Sequence, residues 1–250
     1  MTPGTTPGMA GLAGIAGVAG VTVDLDDTLF PQSEWLAGAW AAVAAEGGRL
    51  GLDAVALHRA LVAVAGEGSD RGRIIDRALG AVDGGRQEHV PSLVAAFAGH
   101  RAGRLDPYPG AADALARLAG AVPVVCVTDG MPAVQRSKLV ALGLDHLLSG
   151  VVVSDELGGR HLRKPHPAPF EHAVGLLGVP RHTVVHVGDR PGKDVAGARA
   201  AGIGCVRVTT GEYAAAEPGR HVAWRTVDSF AAAVDLLLGL RCGAGLTTAS

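Results

Sequence analysis

Apolar residues fall into two textures along the chain. VAGVTVDL at 18–25 is a short, nearly continuous apolar run that ends in acidic residues, the pattern of a buried strand. From about Ser33 to His100 the spacing turns helical. Four stretches, 34–46, 53–65, 71–82 and 89–100, are expected as helices, separated by glycine-rich turns such as Gly47-Gly48 and Gly84-Gly85. After Pro107-Tyr108-Pro109-Gly110 the texture alternates. Helices are expected at 110–119, 132–143, 167–177, 193–201 and 228–239, with strands at 122–127, 151–153, 183–187 and 203–208. Apolar strands alternating with helices predict an α/β fold: a Rossmann-like parallel sheet with helices on both faces. Right-handed crossovers gather the carboxyl ends of the strands on one edge, where ligands bind in open sheets of this kind.

This pattern divides the chain into an α/β core at 18–30 and 106–240 and an all-helical insert at 31–105. Residues 1–17 are expected as a flexible leader and 241–250 as a disordered tail. An insert of about 70 residues is far longer than an ordinary loop. Its place after the first strand suits a lid over the active edge.

Composition narrows the class. At 48% apolar and 18% charged residues, the chain has material for a core and lacks the signature of global disorder. A net charge of −2 gives no basic excess for nucleic acid or an anionic membrane. The small, apolar run at 8–21 has no basic residue before it, so it is not expected to be a secretory signal. It is also too rich in glycine and alanine for a membrane span, and it contains no GxGxxG. Cys126, Cys205 and Cys242 form an odd set without CxxC spacing, which fits neither a disulfide framework nor a zinc site and suits a reducing, cytoplasmic compartment.

Four polar clusters fall where strands are expected to end. In Asp24-Leu25-Asp26-Asp27-Thr28, Asp24 and Asp26 are two apart and face one way on an extended chain. Two such carboxylates repel unless a cation or proton separates them, which suggests a nucleophile beside a general acid/base, with a metal. An acidic turn with a helix cap reads equally well from this cluster alone. Thr128-Asp129-Gly130 offers a hydroxyl and backbone N–H groups to a phosphoryl oxygen, or an ordinary N-cap. Lys164, before Pro165, could neutralise substrate and nucleophile, or could be a surface residue before a proline-started helix. Asp189, at a strand tip, and Asp194, in the next helix's first turn, offer the hard oxygens that suit Mg²⁺.

Four turns carrying these groups, in this order and on one sheet edge, resemble the haloacid dehalogenase superfamily of phosphotransferases across about residues 18–240. Asp24 to Thr28 match its first motif, DxDxT; Thr128 matches the second, Lys164 the third, and Asp189 with Asp194 the fourth. The helical insert is similar to the family's helical C1 cap of the four-helix type. The resemblance implies that Asp24 attacks phosphorus to form an aspartyl-phosphate and that Asp26 serves as acid and then base. It implies Mg²⁺ held by Asp24, the backbone carbonyl of Asp26 and Asp189, with Asp194 a further ligand. Thr128, Asp129 and Lys164 would bind the phosphoryl group, and Thr28 would orient the Asp26 loop. Dehalogenase members lack the second aspartate, because halide needs no acid to leave; Asp26 therefore argues for a phosphatase. The substrate implied is a small phosphorylated metabolite, with no nucleic acid or membrane partner and a monomer or homodimer as the working form. A phosphomutase, or a non-enzymatic binder of a phosphorylated ligand or partner, uses the same residues and stays open.

Arg190 follows Asp189 and could touch substrate or cap, with solvent the favoured reading; Arg71 and Arg73 of the insert could reach an anionic substrate or face water. His58, His89, His161, His166, His172 and His186 show no metal spacing, and mid-strand His186 is expected in the core, as are Trp35 and Trp40 in the core or at the insert's hinge.

Overall fold

In the computed structural model, residues 17–68 and 72–243 are described, with side chains through residue 240. The expected leader up to residue 16, Arg71 and the tail from residue 244 lie outside them. The first apolar run forms β1 (Gly20–Val23), shorter than the expected 18–25 because the chain turns at the acidic residues. The later runs form β2 (Val124–Thr128), β3 (Gly150–Val153), β4 (Val184–Gly188) and β5 (Gly204–Val208). A sixth strand, β6 (Arg225–Val227), was not expected: it is an exposed edge strand with one apolar residue, so it carries no hydrophobic run. All pairings are parallel, in the order β3-β2-β1-β4-β5-β6. The fold is thus a six-stranded α/β sheet of Rossmann type, as the alternation predicts.

The chain divides into two compact units, one of Met1–Pro31, Pro107–Gly130 and Leu144–Ser250, the other of Gln32–Asp106 and Met131–Gly143. In the first, the connections are helices α5 (Ala111–Ala119), α7 (Ala168–Leu177), α8 (Ala196–Ala200) and α9 (Phe230–Gly243). Val125, Val127, Val152 and Val184 of the sheet pack with Phe170, Ala173 and Leu177 of α7 and Ala198 of α8 in one apolar cluster. Two-residue periodicity explains the choice, since Val125 and Val127 share a face.

The second unit holds α1 (Gln32–Arg49), α2 (Ala54–Ala65), α3 (Ile74–Leu79), α4 (Val90–Gly99) and α6 (Pro132–Leu142). Its core gathers Trp40, Val43, Leu57, Leu61, Leu79 and Leu93. Asp53 caps α2 by accepting from Val55 N and Ala56 N at 2.9 and 3.0 Å. α1 runs through Gly47-Gly48 rather than stopping at 46. Gly47 is buried, and a Cβ there would collide with Leu57, so this glycine serves helix packing and not a turn. α6 belongs to this unit, with Lys138 Nζ 4.7 Å from the Trp35 ring centroid and Ala141 O accepting from Leu105 N at 3.0 Å. Trp35 and Trp40 are both buried here, and Arg73 is exposed and pairs with Asp76 at 3.3 Å.

Candidate active site

Strand register assembles the site. Val23 lies opposite Cys126 of β2 and Val187 of β4, so Asp24 leaves β1 between the ends of two neighbours, and its N–H still bonds Val187 O at 2.9 Å. The chain then turns back: Leu25 O accepts from Leu29 N at 3.0 Å and Phe30 O from Asp27 N at 2.9 Å. Asp27 takes the left-handed conformation (φ 59°), which an aspartate tolerates better than most side chains. Asp24 is buried and Asp26 is partly exposed. The Thr28 hydroxyl points at Asp24 Oδ2 at 3.5 Å, a long contact. Thr128, buried, closes β2 opposite Val153.

Lys164 joins the two acidic turns. Its Nζ donates to Asp24 Oδ1, to Asp194 Oδ1 at 2.7 Å and to Val127 O at 3.2 Å, and the side chain is buried. Burial opposes the charge, but Asp194, Asp24 and Asp129 outweigh it and hold the ammonium well above the ordinary lysine range. Asp129 fixes the loop that carries this lysine. Its Oδ1 accepts from Lys164 N at 3.0 Å and from Ser154 Oγ at 2.8 Å, while Lys193 Nζ approaches Oδ2 at 3.6 Å. The Asp129 side chain therefore fastens loops together.

Asp194 lies in a π-helical turn, Pro191–Val195, ahead of α8, instead of in the regular helix expected from 193. Arg190 O accepts from the N–H groups of Lys193, Asp194 and Val195 at 3.2, 2.8 and 3.4 Å, which widens the turn. The Asp194 carboxylate lies across Gly188, where a Cβ would sit 2.5 Å from its Cγ. Beyond Lys164, its oxygens accept from His186 Nε2 at 3.1 Å and Arg190 N at 3.0 Å. Burial alone would raise this carboxyl, yet Lys164 and His186 hold it well below the carboxylate range.

Asp189 is the opposite case. Both its oxygens are buried without a hydrogen-bond donor among the described residues. Burial, then Asp194, Asp24 and Asp27, push its carboxyl up to about 9. Burial likewise raises Asp24 to about 7, with Asp194 and Asp26 adding to the rise and Lys164 opposing it. One oxygen each from Asp24, Asp189 and Asp194 lies within 4.8 Å of the others. Buried carboxylates grouped in this way, one of them with no donor among the described residues, fit a hard divalent cation.

Several residues that hold this site escaped the sequence reading. His186 is fully buried, as expected of a core residue, yet its ring links Thr22 to Asp194. Arg207 of β5, also buried, donates from Nε to Asp189 O at 3.2 Å and from Nη2 to Tyr213 O at 2.8 Å. Arg190 does not simply face solvent: its Cζ lies 4.1 Å from the centroid of the Tyr213 ring. Asp27 anchors the same loop, its carbonyl accepting from Thr210 Oγ1 and its Oδ2 from Glu212 N at 3.2 Å. Thr22 with His186 and Asp27 with Thr210 and Glu212 are distant in sequence, and only the fold brings them together. The one available signal was a charged residue, Arg207, inside an otherwise apolar strand pattern.

Comparison with known proteins agrees with the fold. The profile of the haloacid dehalogenase-like hydrolases matches residues 18–202, and the chain belongs to this family. It is 35% identical over 205 residues to a glyceraldehyde 3-phosphate phosphatase of Methanopyrus kandleri, across 79% of this chain and 87% of that protein. It is 28% identical over 229 residues to a protein of the same name from Methanocaldococcus jannaschii, across 88% and 97%. Among solved structures, a putative β-phosphoglucomutase from Thermotoga maritima superposes with a TM-score of 0.66 over 88% of this chain and 99% of its own, at 19% identity, a likeness of fold. Among the described residues, no helix is long and apolar enough to cross a membrane.

Proposed function

We propose that this hydrolase is a Mg²⁺-dependent phosphatase that cleaves a small-molecule phosphomonoester through an aspartyl-phosphate on Asp24. The observation that carries the reading is the arrangement around Lys164: its ammonium bridges Asp24 and Asp194, while Asp189 lies beside them with no donor among the described residues. The phosphatase names of the relatives support it, as does Asp26 two residues beyond Asp24.

Asp24, Asp189, Asp194 and the carbonyl of Asp26 would hold the ion. When bound, Mg²⁺ offsets the charge of the carboxylates and the phosphate, so that one anion can approach another. The chain's own groups then act in two steps. A carboxylate oxygen of Asp24 bonds phosphorus as the ester P–O bond breaks, and Asp26 gives its proton to the departing oxygen. Asp26 next takes a proton from water, whose oxygen bonds phosphorus as the Asp24–phosphoryl bond breaks, releasing phosphate. Lys164 and Thr128 offset charge on the transferring phosphoryl group. Thr28 steadies Asp24, and Asp129 steadies the Lys164 loop. The helical unit enters the chain directly after the Asp24–Phe30 turn and leaves it before Pro107. That position supports a cap which restricts the substrate to a small molecule.

The test is phosphate release from a broad panel of phosphomonoesters, with Mg²⁺ or with chelator, by the wild type and by Asp24→Asn. Metal-dependent release that vanishes in Asp24→Asn is expected. No release from any ester would overturn the reading in favour of a mutase or a binder.

A further inference from the structure

Lys164 reaches the catalytic carboxylates from a loop, not from a strand. The loop runs from the end of β3 to α7 and contains Gly158 (φ 142°) and Gly159 (φ 115°). Such glycines permit the path of the chain but do not enforce it. A lysine stem is also flexible, so its charge is placed only as well as its backbone is. Yet the ammonium meets Asp24 Oδ1, Asp194 Oδ1 and Val127 O together. Something must hold the backbone of this residue.

Sheet register supplies one restraint. Thr128 and Val153 lie opposite each other at the ends of β2 and β3, so Asp129 and Ser154 leave the sheet side by side. Asp129 Oδ1 accepts from Ser154 Oγ at 2.8 Å and from Lys164 N at 3.0 Å. A second restraint lies one residue further along each strand of the loop. Asp155 follows Ser154, and Arg163 precedes Lys164. Arg163 Nε donates to Asp155 Oδ1 and Nη2 to Oδ2, both at 2.6 Å, a fork-on-fork pair. Its side chains are only 27% and 14% exposed, against 84% and 69% for the surface pair Arg104–Asp106. A sheltered bidentate pair keeps its geometry where an exposed single contact does not. It closes the stretch that holds both glycines, beside the lysine.

We infer that the Asp155–Arg163 pair positions Lys164 for phosphoryl transfer, which makes Arg163 a positioning residue of the reaction. This rests on the phosphatase reading above, in which Lys164 offsets charge on the transferring group. When the loop shifts, the ammonium still neutralises the bound ester about as well, but it loses alignment with the charge that develops in the transition state. The loss therefore belongs to kcat and not to KM.

The test is steady-state kinetics with Mg²⁺ on p-nitrophenyl phosphate, replaced by the fastest ester of the panel if the wild type does not cleave it. Tm is measured for each variant. Arg163→Gln is expected to lower kcat about tenfold, with KM within about threefold of wild type. Arg163→Lys keeps the charge and should recover part of kcat. Asp155→Asn should also lower kcat, and combining it with Arg163→Gln should cost no more than Arg163→Gln alone, because the two side chains act as one unit. With an active wild type, a kcat within about twofold in Arg163→Gln, the scatter of a neutral surface change, overturns the positioning role and leaves the phosphatase reading standing. So does a KM that rises more than kcat falls, a loss that Arg163→Lys does not recover, or a double variant whose losses add. If Arg163→Gln melts below the assay temperature, Asp155→Asn, which keeps the shape of the side chain, decides by the same criteria. A wild type inactive on p-nitrophenyl phosphate and on the whole panel sinks the phosphatase reading, and the positioning role with it.

Discussion

His186 and Asp194 are joined inside the protein by a hydrogen bond of 3.1 Å from the ring Nε2 to the carboxylate Oδ1. The bond settles the tautomer. A carboxylate only accepts, so Nε2 carries the proton, and Nδ1 of the neutral ring accepts from Thr22 Oγ1 at 2.9 Å. Burial pushes the imidazole below its ordinary range, which keeps it neutral. Replacing His186 by Phe fits the apolar side of the ring, where Phe170 meets it edge-on at 4.9 Å, but removes both bonds. A loss of about 1–3 kcal/mol in urea unfolding is expected, with His186→Gln losing less. A Phe variant as stable as wild type would show that the ring acts only as apolar filling.

How much of this was legible beforehand follows from range. Apolar periodicity is local, and it located five of the six strands and the two textures of the chain. The edge strand Arg225–Val227 has no periodicity to see, because solvent covers it. Asp24, Asp189 and Asp194 stand out in the sequence because each lies at the end of an apolar run or in the turn beyond it, where chemistry concentrates in such sheets, whereas Lys164 lies well past the end of β3 and stands out only through the motif order. The His186–Asp194 bond was not visible, since a regular helix would not have turned Asp194 back across Gly188. Arg207 reaches Asp189 from the neighbouring strand, a relation that register alone creates.

Gly188 is a sharp test of that packing. A methyl group at this position would sit 2.5 Å from Asp194 Cγ, and the carboxylate is held by three donors that cannot all follow a shift. Gly188→Ala is expected to lose phosphatase turnover by at least about tenfold, since a displacement near 1 Å has effects of that order or more. It should also lower Tm. Wild-type turnover in the alanine variant would mean that Asp194 has slack which the structure does not show.

Tyr108 gives a signed pH dependence. Burial, then Asp27 and Asp189, push its phenol up to about 12 from an ordinary value of 10. Below pH 10 the group is neutral folded and unfolded, so it contributes no slope. Between about 10 and 12 the unfolded chain releases the proton and the folded one keeps it, so stability falls as pH rises. Tyr108→Phe should flatten the decline in Tm across that window. An unchanged alkaline profile would count against the shift.

Asp189 separates the effect of its charge from that of the metal. Its two buried oxygens meet no donor among the described residues, and its carboxyl is pushed up to about 9, so near neutral pH the metal-free protein folds only by putting a proton on this group, which costs stability. Asp189→Asn removes that cost and should raise Tm in chelator. Mg²⁺ should reverse the order. A ligand present at 100 times its dissociation constant adds about 2.7 kcal/mol to the state that binds it, roughly 5–10 °C for a domain of this size. Wild type should gain this on Mg²⁺ addition, and Asp189→Asn, lacking the charged oxygen, should gain little. Thermal melts of both proteins, with and without Mg²⁺, give four numbers. If the variant gains as much as wild type from Mg²⁺, Asp189 does not hold the ion and the cluster needs another account. If the variant is less stable than wild type even in chelator, the buried carboxylate has a donor or proton partner that offsets its charge.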